Sequence, residues 1–299
     1  MQNQKKAYIF AISAVLLWST VATAFKIALE YIDFMQLLLF ASGIATLILL
    51  VIVTMEGKLK LAFTPSAKEL LQSAIRGFLN PFMYYLILVK AYDILPAQEA
   101  MTLNYTWPIM LTLLSIPLLK QKLSKKGLVA ILISFIGVLL IASGGDITNL
   151  KFTNLKGDLM ALSSSIIWSL FWIVNIKSKQ DESIKLLQSF FFGFLFTIPV
   201  VAIFSDFIIP AKVGLIAVTY IGVAEMGITF FFWLMALKLS SRTDKVSQFI
   251  YISPFLSLVF IGILLKEEIQ VATIYGLMFI LGGLLLNKGE SATRIKDKE

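Results

Sequence analysis

Long apolar runs broken by short polar stretches dominate the chain. Ten runs, roughly 8–29, 33–55, 70–90, 96–119, 127–143, 158–176, 184–205, 212–237, 245–265 and 270–287, approach the length a membrane span needs. A bilayer core of about 30 Å takes about 20 apolar residues per helix. The stretches between them, such as Glu56–Lys60, Lys120–Lys126, Lys177–Glu182 and Leu239–Lys245, are too short to form a soluble domain. The pattern predicts an all-α integral membrane protein of ten transmembrane helices. The start resembles a secretory signal, with Lys5 and Lys6, an apolar run and then Ala22-Thr23-Ala24. Its apolar stretch continues to Leu29 and a second begins within four residues, so the first helix is expected to be retained.

The pattern also repeats. Leu16-Leu17-Trp18-Ser19 returns as Ile166-Ile167-Trp168-Ser169, an offset of 150. Tyr105-Thr106-Trp107-Pro108 aligns with Tyr251-Ile252-Ser253-Pro254 at an offset of 146, which also brings Leu118-Leu119-Lys120 onto Leu264-Leu265-Lys266 and Gly137 onto Gly283. Five helices per unit is an odd number, so the second unit enters the membrane with opposite orientation, as in many secondary transporters. The expected organisation is two inverted five-helix repeats, 1–143 and 150–290, with a tail at 291–299.

Composition agrees and narrows the chemistry. Of 299 residues, 58% are hydrophobic and 15% charged. Soluble domains carry about 25% charged residues. The chain has no His and no Cys, which excludes imidazole bases, thiolate nucleophiles, disulfides and the usual zinc ligand sets. No metal and no cofactor is expected, and no Gly-rich phosphate loop is present.

The net charge of +8 reads as topology. With the N-terminus inside, 19 Lys and Arg fall on cytoplasmic stretches, 5 (Lys90, Lys151, Lys156, Lys212 and Lys266) on outer loops, and Lys26 and Arg76 within spans. That asymmetry predicts both termini in the cytoplasm, in a cytoplasmic (inner) membrane, and removes nucleic acid as a partner. The expected partners are the lipid bilayer and a small-molecule substrate, with the protein a monomer or homodimer.

Charged and helix-breaking residues within spans are the candidate site. Glu225 lies thirteen residues from both Lys212 and Lys238, too deep to reach a membrane face. A mid-bilayer carboxylate costs at least about 2.5–3.5 kcal/mol and is by default functional. It would bind a cationic group or carry a proton, with Gly222 and Gly227 permitting close approach. Glu99 and Asp244 occupy related places at the starts of the fourth and ninth spans, where a carboxylate either caps a helix or takes part in gating or proton coupling. Lys26 and Arg76 are near enough to a face to snorkel. Pro108 and Pro254, at matched places, and Asn80-Pro81 would free backbone groups where spans line a cavity. Asn80, Asn104, Tyr105 and Tyr251 would stand beside these breaks. Trp18, Trp107, Trp168 and Trp172 fall near span centres, where aromatic walls suit flat or amphipathic solutes.

The chain resembles the drug/metabolite transporter superfamily, specifically EamA-type ten-helix carriers. Leu17-Trp18-Ser19-Thr20, Asn104-Tyr105-Thr106-Trp107-Pro108 and Glu99 are similar to the branch containing aromatic amino acid exporters. Two positions depart from it: Ser253 stands where Thr is common, and Glu225 lies where that branch is apolar. The resemblance implies a secondary transporter, an exporter of small organic metabolites such as amino acids or amphipathic compounds, working by alternating access and not an enzyme. The rival reading is an integral membrane enzyme acting on lipid or isoprenoid substrates. Such enzymes gather acidic and basic groups at one membrane face, whereas here the face carries scattered Lys.

Overall fold

The computed structural model describes residues 3–120, 124–146, 154–176, 178, 180–240, 246 and 248–291. Among them the regular elements are helical: α1 (Gln4–Leu29), α2 (Phe34–Met55), a short α3 (Leu59–Phe63), α4 (Ala67–Gly77), α5 (Tyr84–Ile94), α6 (Ala97–Asn104), α7 (Trp107–Leu119), α8 (Lys125–Ala142), α9 (Leu155–Ile176), α10 (Glu182–Phe204), α11 (Lys212–Tyr220), α12 (Thr229–Leu239), α13 (Ser253–Phe260) and α14 (Val271–Ser291). Wider π turns join α4 to α5 (Phe78–Met83) and α11 to α12 (Ile221–Ile228), and a third, Ile261–Leu265, extends α13. Among the described residues, seven helical stretches are long and apolar enough to cross a membrane, with shorter apolar helices at Phe249–Leu265 and Val271–Leu286.

Polarity is distributed inside out relative to a soluble protein. Large apolar side chains such as Leu47, Val51, Phe135, Ile263 and Val271 are exposed, while Ser19, Ser164, Ser169, Thr229 and Ser253 are buried. That arrangement suits a lipid solvent, which accepts apolar surface without cost and penalises unsatisfied polar groups. Most buried hydroxyls return a hydrogen bond to their own helix, as Ser19 does to Val15 O at 2.6 Å and Ser169 to Ser165 O at 2.7 Å.

Small residues set the closest approaches, as expected where helices associate without a hydrophobic drive. Ala7, Ala11 and Ala14 form a bare stripe on α1 against Trp233 and Ala236 of α12. α8 and α14 pack through glycines. A Cβ on Gly137 would lie 2.5 Å from the carbonyl of Gly276, and one on Gly283 would lie 2.5 Å from the carbonyl of Ala130. Shifting residues 130 and 137 by 146 gives 276 and 283, so this contact maps onto itself. The larger packing does the same. α1 packs on α12 and α13, while α9 packs on α5 and α7.

Two expectations change. The third span is longer than 70–90, running from α4 through α5, and carries the expected break, with Asn80 extended (φ −147°, ψ 122°) before Pro81. Arg76 does not snorkel. It is fully buried and donates through Nη2 to Ser73 Oγ and Gln180 Oε1, both at 2.8 Å. Lys26 differs from it, reaching the end of α5, where its ammonium is bound by the carbonyls of Tyr92 (2.8 Å) and Leu95 (2.9 Å).

Candidate functional site

Two of the helix breaks, the α6–α7 junction and the segment before α13, border a central cavity of about 370 Å³. Its wall comes from α1 (Trp18, Phe25), α5 (Tyr84, Leu88, Tyr92), the α6–α7 junction (Asn104 to Pro108), α9 (Trp168, Trp172), the stretch from Glu225 into α12 (Trp233, Leu237) and the segment before α13 (Ile250, Tyr251). A volume in this range fits a small organic ligand.

The α6–α7 junction places the most site residues. α6 stops at Asn104, and α7 restarts at Trp107 with Pro108 in its first turn, where a missing N–H costs nothing. The gap is tied to α9: Thr106 Oγ1 meets Ser165 Oγ at 3.0 Å, and Ser169 donates to the carbonyl of Trp107 at 2.7 Å. Asn104 accepts from the Tyr84 hydroxyl (3.2 Å) and donates to Ser164 (2.9 Å). The matching break has the turn Gln248–Ile252 before α13, which starts at Ser253 with Pro254 in its first turn. Ser19 Oγ lies 3.3 Å from Ser253 Oγ.

Glu225 sits in the π turn between α11 and α12, 8% exposed. The Tyr85 hydroxyl donates to its Oε1 at 2.8 Å, and its Oε2 has no partner. The glycines beside it admit a helix: a Cβ on Gly222 would meet Ile44 and the carbonyl of Ala41, and one on Gly227 would meet Ile48. α2 therefore presses this turn toward the cavity from behind.

Aromatic rings of the wall are linked to one another, in part through Phe230 behind them. Tyr84 lies 4.7 Å from Trp168, Trp168 is 5.7 Å from Phe230, Phe230 is 6.1 Å from Trp18, and Trp18 is 5.5 Å from Trp233. Such pairs add about 0.5–1.5 kcal/mol each beyond the area they bury.

The ends of the bundle differ. At the face away from the N-terminus, the distal face, Lys26 ties α1 to the end of α5. There the Glu267 carboxylate also caps α6, accepting from Ala97 N (3.0 Å) and Gln98 N (3.2 Å). Gln98 donates to Glu268 O and accepts from Gln270 N, both at 2.8 Å. At the terminal face, Lys58 bridges Glu56 and Asp181 at 2.8 Å each.

Of the residues singled out by sequence, Trp18, Asn104, Tyr105, Trp107, Pro108, Trp168, Trp172, Glu225 and Tyr251 border the cavity. Asn80, Pro81, Glu99 and Pro254 do not. Pro81 packs against Gly193 of α10, so the third span turns its break away from the cavity and lines it with Tyr84, Leu88 and Tyr92 instead. Asn80 is fully buried with neither amide atom bonded. Glu99 faces Asp158 of α9, while the α6 cap is supplied by Glu267. Asp244 lies outside the described residues. Trp233 and Glu267 escaped sequence reasoning. Trp233 carries a usable signal, because 225, 229 and 233 share one helix face. Glu267 has none, because it caps a helix 170 positions earlier.

A profile of the EamA-like transporter family matches residues 5–143 and again 155–288. Proteins named uncharacterized transporters are similar along nearly their whole length. One from Clostridium kluyveri is 24% identical over 95% of this chain and 93% of its own, and YoaV from Bacillus subtilis is 26% identical over 94% and 96%. A solved structure titled only as the crystal structure of a protein superposes with a TM-score of 0.68 at 20% identity, covering 96% of this chain and 100% of that one. That likeness concerns the fold alone.

Proposed function

The chain belongs to the EamA-like transporter family, a multi-pass membrane transporter rather than an enzyme, and from that premise we propose that it exports small organic solutes across the cytoplasmic membrane by alternating access between two inverted repeats. The repeats are 1–143 and 150–290, followed by a tail at 291–299. The proposal has ten crossings, with both termini in the cytoplasm.

The observation that carries this reading is a central cavity whose distal side is crossed by hydrogen bonds between helix ends. Glu267, Gln98 and Lys26 close the distal face, while the lining runs on toward the terminal face through Leu111, Trp172 and Leu237. This fits a carrier resting with its cavity turned to the cytoplasm. The self-mapping α8–α14 contact and the two separate profile matches support the repeat. The 19-to-5 charge asymmetry supports the orientation.

Labelling from each side tests it, with no background because the chain has no Cys. In Leu88→Cys, a membrane-impermeant maleimide should react from the cytoplasmic side and slowly from outside. Adding Glu267→Ala should speed the outer reaction severalfold by uncapping α6. Equal labelling from both sides in the single variant would indicate a pore and end the alternating-access reading.

A further inference from the structure

The cavity's charge inventory is one-sided. Glu225 is the one charged residue bordering it among the described residues. Its carboxylate has a single hydrogen bond, from Tyr85, and a second oxygen with no partner. A carboxylate held in a largely apolar enclosure favours an occupant that brings positive charge and an N–H to pair with it.

Aromatic faces surround the place such a cation would take. All five Trp of the chain border this cavity, together with Tyr84, Tyr92, Tyr105 and Tyr251. Ring faces attract ammonium groups, most strongly where water is excluded, and also stack on a flat apolar body.

Among the described residues the cavity offers nothing equivalent to an anion. None of its described lining residues is Lys or Arg, and the ammonium of Lys26, next in sequence to the lining Phe25, is already held by two carbonyls. The indole N–H of Trp172 is unpartnered, but it is a neutral donor. It can serve a hydroxyl or carbonyl without offsetting a full negative charge. A solute carboxylate here would lack a counter-ion and would share a low-dielectric space with Glu225.

Building on the transporter reading, we infer that the solute is a monovalent organic cation, an amine or quaternary ammonium attached to a flat apolar body, and not a zwitterionic amino acid. Glu225 is then the residue that selects for charge, and the Trp wall selects for shape. The lone carboxylate sets the charge preference at one.

The test uses the intrinsic fluorescence of the full-length protein in nanodiscs, since every Trp reports on this cavity. Three probes share a phenyl ring and differ in charge: phenethylamine, phenylalanine and hydrocinnamate. Phenethylamine should quench or shift the emission with a Kd at least about tenfold below those of the other two. Glu225→Gln should raise that Kd about tenfold or more while leaving the unliganded spectrum in place. Equal or tighter binding of phenylalanine or hydrocinnamate would overturn the inference, as would no response to phenethylamine up to millimolar concentration. The wild-type series decides the matter even if the variant fails to fold. Counterflow in proteoliposomes separates the two readings. Phenylalanine exchange without phenethylamine exchange leaves a transporter of a different class, whereas the Leu88→Cys labelling judges alternating access without reference to the ligand.

Discussion

Trp18 and Trp168, 150 positions apart, both stand edge-on to the ring of Phe230, at 6.1 Å and 5.7 Å. One aromatic ring of α12, set behind the cavity lining, therefore bridges two lining tryptophans that the sequence offset of 150 relates.

Phe230→Ala should remove the support behind both tryptophans. Truncating a buried Phe costs on the order of 3 kcal/mol, from lost contacts and the space left behind. Phe230 is 6% exposed and also touches Phe190, so little is free to fill the gap. The thermal midpoint should fall, and acrylamide should quench the tryptophan emission more efficiently. An unchanged quenching constant would mean that the wall closes without this ring.

The α8–α14 seam should not tolerate a methyl group. Gly137→Ala and Gly283→Ala each drive a Cβ against a backbone carbonyl, an overpacking worth about 1–3 kcal/mol. Gly282, whose added Cβ would meet nothing within 4 Å, is the control and should change stability by less than about 0.5 kcal/mol on substitution by Ala. Thermal midpoints of the three variants check the ranking. Equal midpoints for all three would show that the two helices are not in close contact.

At the terminal face the Lys58–Asp181 pair predicts a pH dependence. Burial pushes the Asp181 carboxyl up, but the hydrogen bond and charge of Lys58 outweigh it and hold it below its usual value. Burial likewise lowers Lys58, and Asp181 with Glu56 more than reverses this. The Asp181 contribution is complete above about pH 4 and fades as pH falls through its lowered pKa, while that of Lys58 is complete below about pH 10 and fades above its raised one. Asp181→Asn, which keeps an oxygen to cap α10 through Ser183 N and Ile184 N, should lose less than about 1 kcal/mol at neutral pH and flatten the acid limb. Asp181→Ala should cost about 1 kcal/mol more by removing the cap. Stability curves against pH for the two variants separate the pair from the cap.

Sequence reading reached the helical architecture and the middle of the cavity because both leave local marks. Glu225 stood out by depth, and Pro108 as the restart of a helix beside the cavity, whereas Pro254 restarts its own helix without bordering it. What it misplaced depends on which way a helix face turns. Asn80-Pro81 is a true break, yet its direction is set by the close approach of Gly193, more than a hundred positions away. Trp233 follows three consecutive phenylalanines, and composition does not separate a ring facing lipid from one facing a cavity. Arg76 looked able to reach a membrane face because its polar partners, Gln180 and, through Ser73, Gln188, come from distant sequence.

The burial of Arg76 bears on how the chain is assembled. An arginine inside a span costs about 2.5–3.5 kcal/mol at the bilayer centre when nothing receives its donors. Ser73 is available at once, but Gln180 and Gln188 are synthesised more than a hundred residues after Arg76. Until residue 180 is made, the segment at 67–94 holds a charge with one of its two side-chain partners missing. The groove that receives Arg76 is thus completed only by the second half of the chain.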